Sequence, residues 1–212
     1  MTGTLVAVAH GTRSAAGRRQ IRGLVAEVAR RHPELDVHLT HVDVQQPRIT
    51  ETMRHVRRAV IVPLLLSTGY HVRVDIAEAA GTSIVAPPLG PDPLLTEILA
   101  DQAGRDHDAL ILAAAGSSDP HWRAQVDTVA ADLGAHVAYA AQNQTADVVT
   151  ALRRRGAERI TVAAYLLAEG LFYRSLHVAG ADRVTPPLCH DPRLPALITQ
   201  RYTHAVLCSA HQ

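Results

Sequence analysis

Two histidines and one carboxylate carry the most legible chemistry in this chain. His10 directly follows the apolar run Leu5-Val6-Ala7-Val8-Ala9 and opens the segment His10-Gly11-Thr12-Arg13-Ser14. His71 follows a second apolar run, 60–66, that stops at Ser67-Thr68-Gly69. Asp43 closes an alternating stretch, 36–43. Imidazole is the commonest side-chain metal ligand and the usual proton acceptor near neutral pH. Two imidazoles with a carboxylate suit a late first-row divalent metal such as Fe, Co, Ni or Zn. An incomplete ligand set with open positions lets a metal be delivered rather than stored. One histidine after a strand is ordinarily a hydrogen-bonded turn residue. Two at matching strand ends point to a shared task. The remaining histidines show no close metal spacing and read as surface or turn residues, with His38 and His41 as exceptions near the sheet.

The elements that position these groups follow from pattern. Short Val- and Leu-rich runs ended by turn residues read as strands buried on both faces. Open α/β sheets place ligands beyond the carboxyl ends of such strands, which is where His10 and His71 fall. Ser14 is the expected N-cap of a helix whose apolar face is Ile21, Leu24, Val25 and Val28, stopped by Pro33. The stretch 36–43 reads as a strand, and Pro47 opens a short helix with Ile49, Met53 and Val56. The strand from Val60 comes next, then a helix from about Val72 to Ala80 and a short strand at 83–86. The turn 87–93 leads into a helix with Leu94, Leu95, Ile98 and Leu99. Alternating strand and helix argue for an α/β fold with a parallel sheet. Gly11 and Gly69 serve tight turns. The turn 10–14 could cradle a phosphate at a helix N-terminus, but it lacks the Walker lysine and any three-glycine fingerprint.

The pattern then begins again. Leu110-Ile111-Leu112-Ala113-Ala114-Ala115-Gly116-Ser117-Ser118-Asp119 echoes the opening strand and turn. Segment 126–129 continues as helix, and His136-Val137-Ala138-Tyr139 reads as a strand. Run 160–167 echoes the strand at Val60. Ala168-Glu169-Gly170-Leu171-Phe172-Tyr173-Arg174 echoes the segment 67–73, and Pro186-Pro187-Leu188-Cys189-His190-Asp191-Pro192 restates Pro87-Pro88-Leu89-Gly90-Pro91-Asp92-Pro93. We read a tandem duplication, 1–103 and 104–212. The copies differ where chemistry would sit: Ala115 stands for His10, Phe172 for His71 and Ser118 for Arg13. The first half should carry the working site, with the second as its wall or lid.

Composition narrows the classes. The 212 residues include 47% apolar and 19% charged side chains at a formal net charge of +1, ordinary for a globular protein. Neither a nucleic-acid nor a polybasic membrane partner is indicated, and at 3% aromatics a base-stacking platform is not expected. All 21 basic residues are arginine, so an anionic substrate must be held by guanidinium groups, which fork onto carboxylates. Two cysteines make no disulfide framework, which fits a reducing cytoplasm. A signal peptide is not expected, since the opening apolar run 5–9 is too short for one, and no run approaches roughly 20 apolar residues.

The segments His10-Gly11-Thr12-Arg13-Ser14, Asp43-Val44-Gln45-Gln46-Pro47-Arg48-Ile49 and Pro63-Leu64-Leu65-Leu66-Ser67-Thr68-Gly69-Tyr70-His71-Val72-Arg73-Val74-Asp75-Ile76 together resemble the sirohydrochlorin chelatase family. These are the cobalt and iron chelatases of cobalamin and sirohaem synthesis. The resemblance runs over most of the chain. It implies two related flavodoxin-like α/β units facing a central cleft, and a lyase that inserts Co2+ or Fe2+, with Ni2+ a further candidate, into a carboxylate-rich tetrapyrrole. It implies His10 and His71 as the metal-binding pair. The family often has a glutamate four residues before the proline of the middle motif, and Asp43 stands there with one methylene fewer. His10, His71 and Asp43 are then the catalytic set. Arg13, Arg48 and Arg73, with Ser67, Thr68 and Gly69, are the substrate-binding candidates. The metal is itself a substrate, no organic cofactor is needed, and a monomer is expected because the chain already supplies two units.

Three alternatives stay open. One is a non-catalytic carrier of metal or tetrapyrrole, favoured by the shortened Asp43. Another is a chelatase for a different tetrapyrrole such as a porphyrin. The last is a phosphate-binding flavodoxin-like protein. The choice of metal and the pathway served are not legible in the sequence.

Overall fold

The computed structural model describes residues 3–67 and 70–209, with the backbone alone at 70–73. The chain forms two compact units, residues 1–90 with 192–212 and residues 91–191.

The first unit is built on the strands β1 (Gly3–Ala9), β2 (Leu35–His41), β3 (Val60–Pro63) and β4 (Ile84–Val85). They form a parallel four-stranded sheet in the order β2-β1-β3-β4. Leu5, Val6, Ala7 and Val8, and Ile61 and Val62, are fully buried, as strands covered on both faces must be. The chain leaves β1 towards β2 on one side and returns past β1 to β3 on the other. The point where strand order reverses therefore lies between the carboxyl ends of β1 and β3.

Helix α1 (Ala15–Arg31) starts where expected: the Ser14 hydroxyl accepts from the Gly17 N–H at 3.3 Å. It buries Ile21, Leu24, Val25 and Val28, and its final turn carries Arg30 and Arg31, the favoured sign at a helix C-terminus. Helix α2 is one turn (Ile49–Thr52), shorter than the pattern Ile49, Met53, Val56 suggests. Helix α3 (Tyr70–Ala80) begins two residues earlier than expected, so it includes His71.

The second unit repeats this plan. Its strands are β5 (Ala109–Ala114), β6 (His136–Tyr139), β7 (Ile160–Tyr165) and β8 (Arg183–Val184), in the parallel order β6-β5-β7-β8. Helices α5 (Pro120–Leu133), α6 (Gln144–Arg154) and α7 (Leu171–Leu176) connect them. Asp119 caps α5, with Pro120 at its first position.

The helix that completes each unit is supplied from the other copy's end of the sequence. Helix α4 (Pro93–Ala103) follows β4 in the chain but packs against β7 and α5, within the second unit. Helix α8 (Leu194–Ser209) follows β8 but packs against α1, β3 and β4, within the first. The units divide at Gly90/Pro91 and at Asp191/Pro192, inside the two proline-rich segments, whose fixed φ angles suit them to carry the chain out of one sheet's surroundings. Sequence repeats and compact units are thus two different divisions of this chain.

Arg201 fastens α8 to the first unit: Nε donates to the Pro88 carbonyl at 2.8 Å and Nη2 to the Leu89 carbonyl at 2.9 Å. Arg201→Ala should therefore cost about 2–3 kcal/mol, since charged donors are lost from two partly buried carbonyls. A denaturant titration reading that unit's unfolding checks this, with a lower midpoint expected at unchanged slope.

Candidate active site

The carboxyl edge of the first sheet is assembled from the ends of β1, β2 and β3. His10 is the first residue beyond β1, and its side chain is exposed. The next residue, Gly11, has φ +103, a conformation that L side chains rarely adopt. Its Cα lies against the main chain of Asp43, leaving no space for a Cβ beside the Asp43 carbonyl oxygen. Two further bonds join these turns. The Asp43 N–H donates to the His10 carbonyl at 3.0 Å, and the Thr12 N–H donates to Gln45 Oε1 at 2.8 Å.

The turn that carries Asp43 is strained. The Gln45 N–H reaches back to the Asp43 carbonyl at 2.7 Å, a three-residue turn centred on Val44 at φ +67. A β-branched residue in that region is uncommon, and such turns are rare and costly. The turn is anchored at its far end. The His41 N–H and the Thr40 hydroxyl both donate to the Pro47 carbonyl, each at 3.0 Å, and Thr52 Oγ1 donates to Thr40 Oγ1 at 3.0 Å. Asp43 itself is exposed, and its Oδ1 accepts from Arg48 Nη2 at 3.2 Å.

The third edge is the segment after β3. The apolar run outlasts the strand: β3 ends at Pro63, Leu64 still donates from its N–H to the Val8 carbonyl at 2.8 Å, and the chain then bends. Leu64 is buried, so the run's last leucines serve packing rather than extend the ladder. Ser67 is half-buried at that bend. His71 is the second residue of α3 and Arg73 the fourth, while Thr68 and Gly69 lie outside the described residues, as do the side chains of His71 and Arg73. Arg13 is exposed beside His10. Among the described residues, no group of three or more His, Cys, Asp or Glu side chains is gathered to hold a metal.

Three bonds of this edge recur at matching positions within the second unit. Arg18 Nε donates to the Thr12 carbonyl at 2.9 Å, and Arg123 Nε to the Ser117 carbonyl at 2.8 Å. The Ser14 N–H donates to Thr12 Oγ1, and the Asp119 N–H to Ser117 Oγ, each at 3.1 Å. The Ala141 N–H donates to the Ala115 carbonyl at 2.9 Å, as Asp43 does to His10. Gly116 repeats Gly11 with φ +108. The matching bonds pair Ala115 with His10 and Ala141 with Asp43, and Phe172 is the second residue of α7 as His71 is of α3. All three polar groups of the first unit thus have apolar counterparts. The strained turn has no counterpart either: β6 runs on into a 3-10 turn, Ala140–Gln142.

Comparison with known proteins decides the family. A family model described as CbiX matches residues 4–106 and matches again over 109–205. The chain belongs to the CbiX family of sirohydrochlorin chelatases. SirB from Bacillus subtilis, solved with Fe3+, is 18% identical and superposes at a TM-score of 0.77 over 100% of this chain and 98% of that one. SirB from Bacillus subtilis subspecies spizizenii, solved with cobalt, is 19% identical at a TM-score of 0.75, with the same coverage. CbiX, described as the terminal enzyme for biosynthesis of sirohaem in denitrifying bacteria, is 25% identical at a TM-score of 0.71, covering 95% of this chain and 99% of that one. No curated protein matches. The α/β fold of two tandem parallel-sheet units is the chelatase fold. No helix among the described residues is long and apolar enough to cross a membrane.

One residue of this CbiX-family edge, Gln45, is not singled out by residue type and spacing, and a second, His41, is marked there only as lying near the sheet. Gln45 ties the Asp43 turn to the His10 turn, and only its place inside the middle motif hints at that. His41 is buried at the end of β2, opposite Ala9, with Nδ1 at 3.3 Å from the Pro47 carbonyl. Burial lowers its pKa from 6.5, the hydrogen bond to Pro47 opposes this, and the charges of Arg18 and Arg22 add to the lowering. Its folded pKa thus lies below its unfolded one. The unfolded chain then binds the extra proton first, so stability is full above about pH 6.5 and is lost as pH falls below that value. The thermal midpoint should drop between pH 7.5 and 5.5, and His41→Gln should flatten that drop.

Proposed function

We propose that this chain is a sirohydrochlorin chelatase that inserts divalent cobalt or iron into the macrocycle with release of two pyrrolic protons. The observation that carries the reading is the matched pair of edges. One edge holds His10, Asp43 and the segment leading to His71, and the other presents Ala115, Ala141 and Phe172 at the corresponding positions. Family membership supplies the substrate class.

In this reading His10 and His71 hold the incoming metal, and one of the two, once it no longer holds the metal, accepts a pyrrolic proton. Asp43 lies beside His10, where its charge offsets that of the metal and its oxygens are open to a relayed proton. The shorter carboxylate suits it to this part rather than to direct ligation. Arg13, Arg48 and Arg73, with Ser67, Thr68 and Gly69, bind the substrate's peripheral carboxylates, because guanidinium matches carboxylate geometry. No organic cofactor takes part, and the repeats 1–103 and 104–212 divide the labour between a working copy and a supporting one. The protein works as a cytoplasmic monomer, without nucleic acid or membrane. Cobalt and iron are the metals bound in the SirB structures, and nickel remains in the set that imidazole accepts.

The carrier reading keeps one observation in its favour, since Asp43 is held by Arg48 rather than left open. Anaerobic mixing of protein, sirohydrochlorin and Co2+ or Fe2+, followed by absorbance, separates the two. Rates well above the spontaneous reaction support the chelatase. Tight tetrapyrrole binding at the spontaneous rate supports the carrier instead.

A further inference from the structure

The Asp43–Arg48 pair is built unevenly. The Arg48 main chain is fixed: its N–H donates to Gln46 Oε1 at 3.1 Å and to Glu51 Oε2 at 3.0 Å, and its carbonyl accepts from the Thr52 N–H at 3.0 Å. Its guanidinium is not fixed. Among the described residues Nη2 makes one bond, to Asp43 Oδ1 at 3.2 Å, between side chains 50% and 59% exposed. A guanidinium has five donors and ordinarily meets a carboxylate with two parallel bonds. A single long bond in water contributes little and is easily exchanged. The Asp43 main chain, by contrast, cannot follow its partner away. It is bonded to the His10 carbonyl, closed into the turn at Val44 and packed under Gly11.

We infer that this pair is a carboxylate-exchange latch, an inference that rests on the reading above. A peripheral carboxylate of the bound macrocycle takes the Arg48 guanidinium in a two-bond fork. Asp43 is thereby released as an unpaired negative charge beside His10. Arg48 is then a specificity-determining and positioning residue, because recognition of the substrate's rim and delivery of charge to the metal site become one event. A macrocycle with no carboxylate at that place leaves Asp43 paired.

The test is a binding cycle on the metal-free substrate, read by quenching of sirohydrochlorin fluorescence, with wild type, Asp43→Asn, Arg48→Ala and the double variant. Both side chains are exposed, and matching thermal midpoints confirm that each variant folds. Asp43→Asn should tighten binding by about threefold to fivefold, since it removes the competitor for Arg48. Arg48→Ala should weaken binding by about tenfold or more. In the Arg48→Ala background, Asp43→Asn should change nothing. Simple repulsion between Asp43 and the substrate would survive that background, so tightening in both backgrounds overturns the latch, as does tightening in neither. Accelerated metallation without this coupling overturns the latch alone. Coupling without metallation overturns the chelatase reading alone, and no binding by the wild type overturns both.

Discussion

Replacing His10 with alanine is expected to cut accelerated metallation by about 100-fold or more while leaving the fold intact. The argument starts from position. His10 stands one residue past β1, at the point where strand order reverses, with its side chain exposed. Its structural contribution is made by the main chain, whose carbonyl accepts from Asp43, and alanine retains that bond. Stability should change by no more than about 0.5 kcal/mol, the usual range for an exposed substitution. His71→Ala should cause a loss of similar size, since in the proposed reading the two imidazoles share the holding of the metal and the acceptance of the proton. A metallation assay with either cobalt or iron reads both variants, and substitution of Phe172 serves as the comparison. The corresponding helix position in the second unit carries no polar group, so Phe172→Ala should spare the metal-dependent step. Equal losses from His10→Ala and Phe172→Ala would place the chemistry elsewhere.

Much of this edge was legible because apolar runs ended by turn residues mark strand ends, and the duplication made the two edges comparable position by position. The strands at 136–139 and near 160 follow directly from such runs. Other features leave no trace in periodicity. Helices α4 and α8 show the apolar face of any covering helix, and nothing in Leu95, Ile98 and Leu99 or in Leu194, Leu197 and Ile198 says which sheet they cover. The exchange depends on where the proline segments direct the chain. Strand β3 is shorter than its apolar run, 60–66, because burial and strand pairing are different demands, and Leu64 meets only the first beyond its last ladder bond. The Asp43–Arg48 pair spans five residues of irregular chain, where no helix or strand period brings side chains together. The strain at Val44 was hidden too, because valine is a residue that propensity assigns to a strand.

Gly11→Ala should be the most disruptive single-methyl change at this edge, and Gly116→Ala the control that isolates the reason. Both glycines have strongly positive φ, +103 and +108, so alanine carries a comparable backbone penalty of about 1–2 kcal/mol at either site. Their surroundings differ. At Gly116 the nearest atoms to a new Cβ are Tyr139 Cβ at 3.3 Å and Ala141 Cβ at 3.4 Å, contacts relieved by shifts of a few tenths of an ångström. At Gly11 the obstacle is the Asp43 carbonyl oxygen, a main-chain atom that cannot rotate away. Relief there means pushing the Asp43 turn off His10, breaking the Asp43 N–H bond to the His10 carbonyl and the Thr12 bond to Gln45. The summed cost should reach about 3 kcal/mol or more, against about 1–2 for Gly116→Ala. Function should separate the two further. Gly11→Ala moves Asp43 and its ion pair away from the histidine and should lower metallation even at temperatures where the protein remains folded. Gly116→Ala disturbs an edge with alanine at the corresponding positions and should leave the rate of metal insertion near that of the native chain. Unfolding curves and metallation rates measured on the same two preparations test whether the close approach of Gly11 to Asp43 exists to hold the Asp43 turn beside His10.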